Sequence, residues 1–506
     1  MNRLIKINKK KFFFYSDWRG IIFIILTSIL TMVVLMRPPW DPDMGWHIRN
    51  GQDILRWGVP RGDLFSYTMP GYPWVSHEWL TDVGFYLIYS HWGPLVLSII
   101  FAGIAFGAYW WAARVGQQRI ESTVLTVLIA AMVAMPVVGI RAQMITLLGL
   151  AGTLWLLFAW RDRPEYRLRI WWLVPIMLVW VNLHGGFAIG LVLIAVFWFI
   201  ELLKYRLVKW RLLHFQPTLS KAQFWQLIGV GVSSFVVTFI NPYTWRVYEE
   251  LFRTVLDPVV RVNISEWTPV TWGNPQSNNL LILMGLIFLL WLLNHRKADF
   301  TKLMLAIVFL GLSLTSWRNL PLFSLVALPL LVDLINRLSA PKGLTGIAKS
   351  MWVLLGVAIL AGYLGYNRYK EISPFVGNPS MFSSMGKYPY GAVAYIHEHQ
   401  PKGNLFNEYN WGGYLTWQLP EKPVFIDGRM AIWKTPQQNI FQEYSSILNG
   451  GEDAEIWLKK YDVGLVLVYQ NRSSKNYFVQ QQNNWEIIYQ DDIAILFQRH
   501  DLAPPI

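Results

Sequence analysis

The sequence predicts a polytopic α-helical membrane protein with a small α/β domain at its C-terminal end. Three observations predict it: the overall apolar content, the repeated apolar runs, and a change of composition after Tyr366. Of 506 residues, 54% are hydrophobic and 28 are tryptophans, which is too apolar and too aromatic for an ordinary soluble domain. The first apolar stretch covers 21–36. Further runs centre on 94–115, 122–139, 143–160, 170–183, 187–202, 223–240, 280–294, 303–316, 320–336 and 351–366. Together they make about eleven spans, and those shorter than about 20 residues borrow flanking aromatic side chains to cross the hydrocarbon.

The basic segment 1–20 precedes the first span. No small-residue cleavage site follows that span, because Arg37-Pro38-Pro39-Trp40 comes next, so the span is retained and the N-terminus lies inside. Counting onward, the loops at Arg161 to Arg169, Lys204 to Lys221, Arg296 to Lys302 and Arg337 to Lys349 fall on the cytoplasmic side, and each is rich in Lys and Arg. The outer loops 37–93 and 241–279 carry more acids than bases. Glu78, Asp82 and His91 mark 78–92 as a helix along the outer surface rather than another span. An odd number of spans then places residues 367–506 outside a cytoplasmic (inner) membrane.

The net charge of +13 resembles a nucleic-acid signal, but the basic residues sit in the short inside loops, so the charge is read as topology and no nucleic-acid partner is expected. Zero cysteines exclude disulfides, thiolate nucleophiles and cysteine-ligated metals. In the tail, helical patterns at Tyr390 to His399 and Ala454 to Tyr461 alternate with strand-like runs at 404–407, 424–426, 463–469, 485–489 and 493–498, which reads as one α/β domain.

The first outer loop interleaves Asp41, Asp43, His47, Asp53, Asp63, His77 and Glu78 with Trp40, Trp46, Trp57, Tyr67, Trp74 and Trp79. Carboxylates can accept hydroxyl hydrogen bonds, act as a base or bind a hard cation such as Mg or Mn, while indole faces cover a sugar ring. The structural alternative is that Asp41 caps the helix carrying Trp46, with Pro42 in its first turn. Asp43 and His47, four apart on that helix, share a face and can hold a cation or bond each other. His77 and Glu78 are adjacent, so only one is expected to face a site. His184, beside the Gly185-Gly186 pair, sits at the outer interface as a ligand or as part of a tight turn. Arg141 and Arg318 are lone outer cations; Arg318 suits a lipid phosphate, against the alternative of a headgroup anchor. Glu266 is a further acid on the second long outer loop. Asp427 and Arg429, at a strand end turning through Gly428, either face a ligand or pair with each other.

One span, a long acidic outer loop opening on Asp41 and Asp43, many further spans and an outer α/β tail resemble the GT-C superfamily of integral-membrane glycosyltransferases. That superfamily includes protein mannosyltransferases, aminoarabinose transferases and oligosaccharyltransferase catalytic subunits. The resemblance covers the whole chain and implies that Asp41 or Asp43 serves as catalytic base or metal ligand. In the tail, Asn410-Trp411-Gly412-Gly413-Tyr414-Leu415 and Pro423 to Arg429 are similar in layout to the Trp-Trp-Asp-Tyr-Gly region of oligosaccharyltransferases. Asn410-Trp411-Gly412 replaces the Trp-Trp-Asp core, however, and Arg141 stands where that family has its second acidic pair. The resemblance therefore reaches the superfamily and not a peptide-sequon reader.

It implies transfer of a sugar from a polyprenyl-phosphate donor to a lipid, protein or polysaccharide acceptor on the outer face, with inversion and optionally a divalent cation. By analogy, Glu266 takes the place of a glutamate on a mobile outer loop. The competing classes are a transporter or flippase of lipid-linked glycans, which lacks support from any internal repeat, and a non-catalytic envelope assembly protein that binds through the tail.

Overall fold

The structure, a computed structural model, describes residues 18–502 apart from 40, 116–119, 211–217, 274, 295–297, 338–349, 374–387, 473 and 482. Most of the basic N-terminal segment, Trp40 and the inside loop after Arg337 lie outside the described residues.

Each of the apolar runs holds a helix: Trp18–Leu35, the second half of Trp79–Ala113, Ile120–Ala134, Gln143–Asp162, Leu173–Leu183, Phe187–Lys209, Lys221–Val237, Pro275–Asn294, Phe300–Leu314, Leu320–Asn336 and Met351–Ile372. Among the described residues, six helical segments are long and apolar enough to cross a membrane: Trp18–Leu35, Trp79–Ala113, Gln143–Asp162, Phe187–Lys209, Ser277–Asn294 and Trp317–Asn336. The chain is an integral membrane protein. Gln143–Asp162 and Leu320–Asn336 form the centre of the bundle, since most of their side chains are buried by neighbouring helices. The 35-residue stretch Trp79–Ala113 is two helices meeting at Gly93, whose φ of 74° breaks the ladder just before Pro94. The surface-type segment 79–92 and the apolar segment 94–113 are thereby separate rods. The last bundle helix runs to Ile372, six residues past the change of composition at Tyr366.

Charged residues pin the two ends of the bundle. At the end away from the tail, Arg161 pairs with Asp299 at 2.6 Å and Lys204 with the fully buried Glu201 at 2.7 Å, while Lys302 pairs with Asp333. Burying such charges is tolerable only because every one has a partner.

The tail contains a four-stranded sheet of β1 (Asn404–Asn407), β4 (Val463–Tyr469), β5 (Trp485–Gln490) and β6 (Ala494–Arg499), in the order β1-β4-β6-β5. The first pair is parallel and the others antiparallel; Lys434–Thr435 (β2) and Gln438–Asn439 (β3) make a separate small ladder. The run at 424–426 is not a full strand. Val424 forms isolated bridges to Leu405 on one side and to Ser66 of the first loop on the other, because Pro423 precedes it and the chain turns at once into Asp427-Gly428. The first loop thus adds to the sheet edge, with Val424 N–H donating to Phe65 O at 2.9 Å and Thr68 Oγ1 to Phe425 O at 2.6 Å.

The core beneath is shared. Trp46, Phe65, Met69 and Trp74 of the first loop pack with Phe406, Phe425, Met430 and Trp433 of the tail. Helix Met44–Trp57 meets the short helix Gly412–Gln418 so closely that a Cβ on Gly413 would lie 2.2 Å from Pro42 O. Substituting Gly413→Ala is expected to destabilise the fold by about 3 kcal/mol through overpacking, read as a lowered unfolding temperature in detergent.

Candidate functional site

A polar cavity of about 320 Å³ opens where the first loop, the tail-side helix ends and the 246–267 segment meet the tail. Asp41, Asp43, His47, His77, Glu78, His184, Glu266, Arg318 and Arg429 all line it, together with Arg141. Residues named from separate loops of the sequence are therefore neighbours. Asp427 is the exception: it is fully buried behind Arg429 and forms no part of the wall.

The two aspartates precede the helix rather than sitting in its first turn. The helix starts at Met44, with Asp43 at the N-cap position and no side-chain cap bond, so Asp41 is not the cap. Instead, Asp41 Oδ1 accepts the Asp43 N–H at 2.9 Å, a local Asx-type bond. The Asp43 carboxylate is left to face the cavity, accepting from Trp46 Nε1 at 3.0 Å. Behind it stands Gly428, where a Cβ would lie 1.9 Å from Asp43 Oδ1; only glycine permits that approach. Burial first, and the Asp41 charge second, push the Asp43 carboxyl up to about 6, against the pull of His47, the Trp46 bond and Arg141.

The arginines are not lone cations. Arg141 forms ion pairs with both Asp41 and Glu266. Burial alone would lower its guanidinium, but those carboxylates reverse the effect and hold it firmly protonated. Arg318 approaches the other oxygen of Glu266 at 3.8 Å and lies over Trp267, 5.2 Å from the ring centroid. Its side chain, 32% exposed, forms part of the cavity wall. Glu266 is set between the two cations because Ser316 Oγ donates to Glu266 O at 2.8 Å and Trp317 N–H to Thr268 O at 3.2 Å.

His47 is sandwiched between Trp46 and Phe85, with ring centroids 3.7 and 4.9 Å away. Its Nδ1 bonds Asp82 Oδ1 at 2.5 Å and its Nε2 faces Glu78 Oε2 at 3.5 Å. Burial works against the imidazolium, yet Asp82 and Glu78 prevail and lift His47 to about 9. It therefore groups with Glu78 and Asp82, whose ligand atoms lie within 4.8 Å of one another, and not with Asp43. One imidazole and two carboxylates are donors of the types that ligate metal ions, but here they are engaged with one another and with Asn50 and Ser76.

His77 and Glu78 both reach the cavity. Helical geometry would have turned them apart, but the helix starts only at Trp79. Glu78 Oε1 is 3.0 Å from His184 Nε2 and 3.5 Å from His77 Nε2. Burial would raise Glu78, and the two imidazoles overcome it to hold the acid well below its usual range. His184 Nδ1 accepts the Gly186 N–H at 2.8 Å, which directs Nε2–H at Glu78; burial pushes this ring's pKa down against the pull of Glu78.

Arg429 and Asp427 pair with each other. Arg429 Nε donates to Asp427 Oδ1 at 2.9 Å, and Nη2 reaches Asp427 Oδ2 at 2.6 Å and Asp63 Oδ1 at 2.9 Å. The guanidinium is ringed by Phe65, Trp74 and Trp433 at 4.4 to 5.2 Å. The group fastens the first loop to the tail. Sequence reading missed Asp82, Gln143, Glu250 and Tyr409 as participants. Asp82 alone carried a signal, a carboxylate among the polar residues that set 78–92 apart from the apolar spans.

No family model and no curated protein matches the chain. Solved structures do. The oligosaccharyltransferase AglB from Archaeoglobus fulgidus, in complex with an inhibitory peptide and a dolichol-phosphate, is similar with TM-score 0.57 at 13% identity, over 90% of this chain and 70% of that one. ArnT from Cupriavidus metallidurans bound to undecaprenyl phosphate gives TM-score 0.55 at 15% identity, over 96% and 99%. The Archaeoglobus fulgidus oligosaccharyltransferase in complex with Zn and sulfate gives 0.50 at 14%, over 88% and 68%. Both proteins are GT-C membrane glycosyltransferases, and the chain shares their fold.

Two outcomes are expected of the site's packing. Arg429→Ala leaves two buried carboxylates unpaired and should cost about 3 to 5 kcal/mol, seen as loss of folded protein in detergent. Asp43→Asn should be more stable than wild type above pH 6 and equal to it below about pH 4 in thermal melts. The sign follows from a folded-state pKa raised to about 6: ionising Asp43 in the fold lowers wild-type stability as pH rises through that range.

Proposed function

From a membrane-embedded GT-C fold with its polar cavity at one end of the helices, we propose that the chain is a glycosyltransferase acting on a polyprenyl-phosphate-linked sugar. The observation that carries this reading is one cavity in which a carboxyl poised near neutrality, Asp43, faces an incompletely paired cation, Arg318. The dolichol-phosphate and undecaprenyl phosphate bound by the neighbours support a lipid phosphate as donor.

In this reading, an acceptor hydroxyl donates its proton to the Asp43 carboxylate as its oxygen attacks the anomeric carbon. The bond from that carbon to the phosphate oxygen breaks on the opposite face, so configuration inverts. Arg318 donates to the departing phosphate, and Trp267 holds the guanidinium in place. Asp41 orients Asp43 through its backbone N–H. Glu78, oriented by His184 and His77, accepts from sugar hydroxyls. In this reading the cavity lies at the outer rim of the membrane with the tail outside, which the Lys- and Arg-rich loops between the spans support.

The purified protein with a polyprenyl-phosphate sugar and acceptor tests the reading. Asp43→Asn is expected to reduce turnover about 10²- to 10⁴-fold, the usual worth of a positioned base. The wild-type rate should rise with pH to a plateau above about 6, because Asp43 accepts a proton only when ionised. Arg318→Ala should weaken undecaprenyl phosphate binding in native mass spectrometry about 10-fold or more, as loss of a charged hydrogen bond predicts. Full turnover by Asp43→Asn would exclude the assigned base.

A further inference from the structure

The fold family admits a divalent cation, and the structure offers two places to test for it. At Asp41 and Glu266, the position between the carboxylates belongs to the Arg141 guanidinium, which pairs with both. At His47, Glu78 and Asp82, the imidazole has a carboxylate against each nitrogen, and Asp82 also accepts from Asn50 Nδ2 at 2.6 Å and Ser76 Oγ at 3.3 Å. An incoming ion would have to displace a proton and break these bonds. Neither set of residues fits a resident metal ion.

We propose that Arg141 is the built-in cation of the cavity, standing where a divalent ion would bridge acids from distant loops, so that transfer runs without a bound metal. The argument is geometric. A bridging ion gathers carboxylates from separate segments into one site. Arg141, at the turn before helix Gln143–Asp162, does this with Asp41 of the first loop and Glu266, 125 residues away. A planar fork holds two carboxylates at once in a fixed geometry, whereas an ammonium is a point charge without that geometry and a neutral side chain has no charge to set against them. Arg141 is thus a positioning residue. It fixes Asp41, and through the Asp41 Oδ1 bond to the Asp43 N–H it fixes Asp43.

The test is Mn²⁺ binding by electron paramagnetic resonance on the full chain in detergent, each protein compared with its own Asp41→Asn form. Wild type should show no difference from Asp41→Asn. Arg141→Gln, which uncovers Asp41 and Glu266, should bind one more equivalent than Arg141→Gln/Asp41→Asn. Arg141→Lys keeps a positive charge at the position and should stay free of Mn²⁺ while transferring at least 10-fold more slowly than wild type. An Asp41-dependent equivalent in wild type, or none in folded Arg141→Gln, overturns the proposal. In the transfer assay, wild type should keep its rate in excess EDTA; loss of rate restored by Mn²⁺ or Mg²⁺ also overturns it. The inference about transfer rests on the proposed function, and the two fail separately. Absence of transfer under every condition would sink the enzymatic reading, whereas Mn²⁺ binding still decides the role of Arg141.

Discussion

The buried guanidinium of Arg429, held between Asp63 and Asp427 and walled by three aromatic rings, is the constraint on which the site depends. It joins a loop near the start of the chain to a turn more than 350 residues later. The two carboxylates and the arginine have almost no access to water, so the group holds together only if all three are present. Gly428, the residue before Arg429, then lies against Asp43 with no room for a side chain. The shared core of Trp46, Phe65 and Trp74 with Phe425 and Trp433 keeps this geometry rigid. The tail is therefore part of the site and not an appendage.

Charge is distributed around the cavity by pairing. Asp41 and Glu266 answer to Arg141, Glu78 to its histidines, and Asp82 to His47. Asp43 forms no ion pair among the described residues, and its surroundings favour the neutral acid. This contrast gives neighbouring carboxylates different work, one structural and one poised to exchange a proton near neutral pH. Arg318 shows the same contrast among the cations, since among the described residues its one ion pair is at 3.8 Å, while Arg141 is doubly engaged.

The bundle was legible because length and hydropathy are local properties, and each apolar run from 21–36 to 351–366 coincides with a helix. The break before Pro94 was legible from the polar residues of 78–92. Strand Val463–Tyr469 was legible because its sequence, VGLVLVY, is a continuous β-forming run for a buried position. The cavity was legible only as a set of residue types. That Arg141 lies between Asp41 and Glu266, or that His47 turns to Asp82 rather than Asp43, depends on contacts across tens to hundreds of residues that no spacing rule encodes. The orientation of His77 and Glu78 was misjudged for a smaller reason: the helix begins one residue later than the pattern implied. Val424 reads as a strand by composition, but it became a two-sided bridge because the first loop supplies its second neighbour.

The central claim, that the cavity transfers sugar from a polyprenyl phosphate with Asp43 as base, is tested most directly in cells. Mass spectrometry of polyprenyl-linked sugars and envelope glycans would compare wild type, a deletion, and Asp43→Asn at equal abundance. The account predicts that the deletion and Asp43→Asn both accumulate one lipid-linked sugar and lose the same glycan. Altered pools in the deletion with wild-type pools in Asp43→Asn would contradict it and favour transport or scaffolding.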